Sequence, residues 1–222
     1  MRVGLQRRRD RGVKEEVDAV SGRKQFDISA ALDQAMRVFW QRGYADASLD
    51  ALGAATGLGR GSLYGAFGNK DALFGKCLDR YASIYGAQYE QALAAHPGDP
   101  VRAVEAFFDV ILGRIADPSV PVGCLIAQSA AQSLTLKEEN SGQVRGLLDL
   151  QRQRVRAALA DSSADSRTLD ELATFVVAVN QSLAVLSRAG ATDAELRSVT
   201  RLACTTVADT LARATSEDVT QS

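Results

Sequence analysis

The sequence predicts an all-α protein with a small N-terminal head of short helices and a larger helical body. Two observations carry this. From Asp27 onward apolar residues recur at intervals of three and four in nearly every segment, while the strict alternation of a half-buried strand is scarce. The stretch GLGRGSLYGAFGNKD, residues 57–71, places glycine at five of fifteen positions between two helical segments. Each glycine inside a helix costs roughly 1 kcal/mol relative to alanine, so such a density implies tight turns or close approach to something outside the chain.

Composition narrows the class. The 222 residues are 46% hydrophobic and 24% charged, ordinary values for a globular protein. No apolar run approaches the ~20 residues of a membrane span, and MRVGLQRRRDRG lacks the apolar centre of a signal peptide, so a cytoplasmic protein with no membrane partner is expected. Cys77, Cys124 and Cys204 lie far apart with no CxxC pair, and the only histidine, His96, sits in the turn-like HPGDP. No metal site, cofactor or hydrolytic centre is expected from that set.

Charge is divided unevenly. Residues 1–76 carry 13 Lys or Arg against 9 Asp or Glu, a net of +4, and the remainder carries 13 against 18, a net of −5. A basic head on an acidic body suits attraction of one end to a polyanion.

Residues 1–26, with Arg7, Arg8, Arg9 and Arg11 clustered, read as a flexible basic arm that can follow a phosphate backbone or enter a minor groove, or be only a solvated tail. A head follows at 27–75. Ile28, Leu32, Ala35, Met36 and Phe39 share one helical face, and Gly43 is expected to stop that helix. Ser48 can cap a second helix in which Leu49, Leu52 and Ala55 share a face and Gly57 ends the segment. A third short helix is predicted from about Arg60 to Phe67, and Asn69 can cap a fourth beginning near Lys70. Short helices joined by a glycine turn make a helix-turn-helix, whose later helix lies in the major groove of DNA.

The body, residues 76–222, is predicted helical almost throughout. Residues 70–94 read as one helix that HPGDP breaks, and Asp99 can cap the next with Pro100 in its first turn. Val104, Phe107, Phe108, Ile111 and Ile115 give that helix a broad apolar face, and DPSVPVG ends it. A helix beginning near Cys124 and another over about 138–160 follow, then the polar loop ADSSADS. The last two helices, about 168–189 and 193–213 with Thr192 as a cap, are apolar over much of their circumference. Leu172, Phe175, Val176, Val179, Leu183 and Leu186 form one stripe, and Leu196, Val199, Ala203, Val207 and Leu211 another. Two such helices per chain can pair with their twins in a four-helix interface, or be buried within a single larger core.

The run SLDALGAATGLGRGSLYGAFGNKDALF, residues 48–74, resembles the TetR/AcrR family of transcriptional repressors. Ser48, Leu52, Gly57, Gly61, Leu63, Tyr64, Phe67, Lys70, Asp71 and Leu73 match its pattern in order. The resemblance implies a homodimer whose recognition helices enter successive major grooves of a palindromic double-stranded operator, and which responds to a small-molecule effector of unknown identity. Carried over by position, Ser48, Tyr64 and Lys70 would contact phosphates, Ser48 being also a plausible N-cap. Arg60 would read a guanine or only touch a phosphate, with Gly59, Gly61 and Ser62 admitting close approach. Many members have histidine where this chain has Ala66, so one common polar contact is absent. The effector pocket would lie in the body, with Phe107, Phe108, Ile111, Cys124, Leu125, Gln128 and Asn180 as candidate lining residues, although apolar residues at this spacing also serve simply as core.

Two further readings stay open. Cys124 stands at a helix start, where free amides can lower a thiol pKa and make a redox or electrophile sensor; it can equally be a small buried hydrophobe. The head can also be a structural module of a helical interaction protein that never meets DNA. A nucleotide-binding enzyme fits less well, because GLGRG follows a helix and lacks the GxxxxGK[ST] spacing.

Overall fold

A computed structural model describes residues 28–220, with side chains described through residue 214; the basic arm lies outside the described residues. All regular elements among the described residues are helical. The first, α1, covers residues 28–46 and does not stop at Gly43 as expected: the chain bends there, at φ +80°, and the helix runs three residues further.

Helix α2 spans Leu49–Thr56, and the Ser48 hydroxyl accepts from the Ala51 amide at 3.1 Å, an N-cap that satisfies one orphan donor. Gly57 then takes the left-handed conformation, φ 69°, that turns the chain into α3, Arg60–Phe67. At Gly68, φ 83° and ψ −143° form a backbone that side-chain-bearing residues rarely adopt, and α4, Lys70–Tyr81, begins under an Asn69 cap. Phe39, Leu52, Leu63, Phe67 and Phe74 fill the centre of this head. Phe74 meets Phe39 edge-on at 4.9 Å and Tyr44 at 5.0 Å.

The long helix expected over 70–94 is present but underwound at its middle. A π-helical turn, Ala82–Gly86, joins α4 to α5, Ala87–Ala94. Such turns insert one extra residue per helical repeat and often mark a working segment. The body continues with α6, Pro100–Ala116, capped by Asp99; α7, Leu125–Ala131; and a 3₁₀ turn, Ser133–Thr135. Then come α8, Glu138–Leu159; α9, Ser166–Arg188; and α10, Asp193–Thr220. Thr192 and Glu195 exchange side-chain-to-backbone bonds of 2.7 and 3.3 Å, a capping box before α10.

Helix α9 has the length and mean hydropathy of a membrane span. Its Val176 and Leu183 are completely buried, which accounts for that apolarity within the bundle. Packing also runs straight across residue 75, since Tyr81 of α4 and Cys124, Leu125 and Ala184 of the body join the same apolar cluster as the head. Arg188, the last residue of α9, adds a polar fastening. Its guanidinium donates to the carbonyls of Trp40, Gln41 and Val122 and to the Gln128 side chain at 3.0–3.3 Å.

Because Phe74 is fully enclosed and touches two other rings, Phe74→Ala is expected to destabilise the protein by about 3–5 kcal/mol, measured by urea unfolding.

Candidate functional site

The outer face of α3 is built almost without bulk. Arg60, Gly61, Ser62, Tyr64, Gly65 and Ala66 are all exposed, whereas Leu63 and Phe67 point inward and anchor the helix. A Cβ added at Gly59, Gly61 or Gly65 would meet nothing within 4 Å. The fold therefore does not require glycine at these three positions. Gly57 and Gly68, by contrast, are required by their backbone angles.

Arg60 stands at the first turn of α3, and its Nε and Nη2 both reach Asp50 Oδ1, at 3.2 and 2.7 Å. Asp50, in the first turn of α2, thus holds the guanidinium through two of its three nitrogens; this partner was not singled out in the sequence, though it lies two residues after Ser48. Tyr64 is 45% exposed and presents its ring beside Arg60 on the same face. Lys70 is half-buried, with Nζ 4.5 Å above the Tyr44 ring and 3.5 Å from the Ala45 carbonyl. Burial pulls its pKa down from the ordinary lysine value.

Beside Lys70, Asp71 ties three elements together. It accepts from the Tyr44 hydroxyl of α1 and pairs with Lys137, just before α8, at 2.6 Å. The Lys137 and Tyr44 hydrogen bonds hold the Asp71 carboxyl below its usual range, and burial together with Asp71 pushes the Tyr44 phenol up to about 12.

In the body, a cavity of about 250 Å³ opens between the π-helical turn and helices α5, α6, α8 and α9. Tyr81, Tyr89, Leu93, Phe107 and Ile126 form its apolar walls, and Gln151, Arg154, Asn180 and Gln181 its polar ones. Arg154 clips the turn directly, donating to the Gly86 carbonyl at 3.1 Å and to Glu90 at 2.7 Å. Of the residues expected to line the effector pocket, Phe107, Cys124 and Asn180 line this cavity. Phe108 instead faces a shallow cleft against α10, Ile111 is enclosed in the body core and Leu125 in the head-side core, and Gln128 bonds Arg188. Tyr81, Tyr89, Gln151, Arg154 and Gln181 were missed, because apolar periodicity cannot tell a cavity wall from filled core.

Cys124 is 5% exposed and its sulfur accepts from the Tyr81 hydroxyl at 3.2 Å. That burial favours the packing role over a reactive thiol.

The stripe expected to pair two copies is corrected by the burial pattern. Leu172, Val176, Leu183, Ala203 and Val207 lie inside the protomer's own core, and Val179 and Val199 pack half-buried against it. The most apolar face of each helix is used at home. Phe175 and Leu186 remain outside, joined by Val185, 61% exposed, and Leu202, 64% exposed.

The family model "Bacterial regulatory proteins, tetR family" matches residues 31–77. The HTH-type transcriptional repressor ComR of Escherichia coli (strain K12) is 32% identical over 176 residues, 76% of this chain and 82% of that protein. Among solved structures, a cysteine mutant of the TetR family transcriptional regulator CifR complexed with 26 bp double-strand operator DNA is 32% identical, with a TM-score of 0.68 over 79% of this chain and 94% of that one. A TetR transcriptional regulator from Chloroflexus aurantiacus is 25% identical, with a TM-score of 0.73 over 83% of this chain and 95% of its own.

The Asp71 node carries a pH signature. Its folded pKa lies below the unfolded value, so its contribution is complete above the ordinary carboxylate range and is lost as pH falls through the folded pKa. Denaturation midpoints measured from neutral pH downward should therefore fall below about pH 4 in the native chain, and fall less steeply in Asp71→Asn.

Proposed function

The chain belongs to the TetR family of bacterial transcriptional regulators, and from that premise we propose a homodimeric, ligand-responsive repressor, at work in the cytoplasm, that releases a palindromic operator when a small molecule fills the body cavity. The observation that carries the reading is the exposed, glycine-thinned face of α3, open at every glycine on the side that would face a duplex. In the dimer the two copies of α3 enter major grooves about 34 Å apart. Arg60, steadied by Asp50, bonds the O6 and N7 edge of guanine. Ser48, Tyr64 and Lys70 flank it and engage phosphates, setting register instead of sequence.

Four large apolar side chains left outside α9 and α10, Phe175, Val185, Leu186 and Leu202, support pairing of these helices with a second copy. The cavity supports the effector role, because its wall includes the π-helical turn through which α4 continues into the body. A ligand that prefers a different setting of that turn swings α4 and changes the separation of the heads.

The reading is tested by selecting genomic fragments bound by the purified protein, followed by titrations on the enriched site. Arg60→Ala is expected to weaken binding by about 1–3 kcal/mol and to relax preference at one base pair per half-site. Lys70→Ala should weaken all duplexes alike and reduce the salt dependence. Duplex binding unchanged in a Tyr64→Phe, Lys70→Ala double variant that still forms dimers would favour an interaction module without DNA. Leu186→Glu combined with Leu202→Glu is expected to yield a monomer by sedimentation velocity.

A further inference from the structure

Arg114 is the electrostatic oddity of the body. It falls at i+7 from Phe107 and i+3 from Ile111, on the apolar face of α6, and is only 6% exposed. An arginine stays charged at any accessible pH, and a buried charge ordinarily requires a partner of opposite sign. Among the described residues no carboxylate pairs with it. The guanidinium donates to the Gly123 carbonyl and, at 3.1 Å, to the Tyr89 hydroxyl, and lies against the rings of Trp40 and Tyr85 at 5.6 and 5.8 Å. Its Nη2 has no partner.

This unbalanced cation stands one hydrogen bond behind the cavity, whose wall includes Tyr89 and holds no acidic residue. Burial raises the pKa values of both Tyr81 and Tyr89, so their hydroxyls are neutral donors. The Tyr89 oxygen accepts from Arg114 and its hydroxyl also lies within hydrogen-bonding reach of Tyr81, whose own proton goes to Cys124; a stronger acceptor entering the cavity can draw the Tyr89 proton from Tyr81, and the charge behind it makes it a stronger donor. A second set of unused groups lies in the same walls. The amides of Asn180 and Gln181 both donate to Gln151 Oε1, at 3.1 and 3.2 Å, leaving Asn180 Oδ1 and Gln181 Oε1 buried without partners.

Resting on the effector reading of the cavity, we infer that it takes a small aromatic acid bearing a hydroxyl or amino donor. The carboxylate accepts from Tyr89 in the field of Arg114, and the donor satisfies the Asn180 and Gln181 carbonyls. Tyr81, Tyr89 and Phe107 supply the aromatic walls, and a cavity of about 250 Å³ limits the ligand to one or two rings.

The test uses para-hydroxybenzoate, para-hydroxybenzamide and benzoate on the full chain. Calorimetry measures binding, and the fluorescence of Trp40, the only tryptophan, reports on the surroundings of Arg114. The hydroxy acid is expected to bind at least tenfold more tightly than either other probe. Tyr89→Phe, which keeps the ring, should remove the preference for acid over amide, and Asn180→Leu the preference for hydroxybenzoate over benzoate. Arg114→Met should abolish acid binding; should that variant unfold, the Tyr89→Phe result decides. Equal or tighter binding of the amide, or no binding of any probe at millimolar concentration, would overturn the inference. Acid binding that leaves the operator complex intact would instead overturn the effector reading and leave the ligand class standing.

Discussion

The contact on which the architecture turns is the edge-to-face packing of Trp40 in α1 against Tyr81 at the end of α4, with ring centres 5.0 Å apart. Trp40 is wholly enclosed and also meets Tyr85 in the π-helical turn at 5.5 Å. Tyr81 in turn lines the body cavity and bonds Cys124 at the start of α7. One residue is thus shared between the core of the head and the wall of the cavity. Close-packed aromatic clusters do not deform gradually, because small gaps forfeit much of the contact energy; they shift between discrete arrangements. The wall of the cavity and the setting of the head therefore belong to one packing arrangement.

The head separates placing from attracting. Its fold presents α3 with Arg60 and Tyr64 outward, but residues 28–76 carry five basic and four acidic side chains, a net of only +1. Residues 1–27 contribute eight basic and five acidic side chains, most of the positive charge of this end of the chain. Phosphate attraction scales with the number of cations brought to the backbone, so most of the charge that could attract a duplex is written outside the helix-turn-helix that presents Arg60 and Tyr64. Asp50 fits this division: it weakens the local positive field but fixes the direction of Arg60.

Most of the helical plan was legible in the sequence, since caps and glycine turns are local chemistry. Ser48, Asn69 and Asp99 cap where expected, and α3 spans Arg60–Phe67 as the spacing implied. Gly43 misled because its positive φ bends a helix whose neighbours continue to hydrogen-bond, and Gln132, which accepts from the Tyr44 amide at 3.0 Å, secures that bend from the distant α7 end. The α9 stripe misled for a different reason. Periodicity identifies the most apolar face but not what covers it, and here the body's own core claims it before any second copy. The cavity was legible only in part, at Phe107, Cys124 and Asn180; the amides of Gln151 and Gln181 look like ordinary surface residues until the helices meet.

The strength of the joint between head and body is suited to regulation. Arg188 fastens the end of α9 to the end of α1 through neutral acceptors, all at 3.0 Å or longer, in a part-exposed position. Hydrogen bonds of a charged donor contribute about 1.5–3 kcal/mol net when well enclosed and less when water competes, so the joint as a whole is worth a few kcal/mol. Allosteric coupling energies are typically about 1–3 kcal/mol. A much stronger joint would hold the heads in one setting whatever filled the cavity, and a much weaker one would let them wander without a ligand. On the proposed reading, a ligand with a hundredfold preference for the rearranged bundle would turn a population of roughly 10:1 into roughly 1:10, whereas reversal from 1:99 to 99:1 takes about ten-thousandfold.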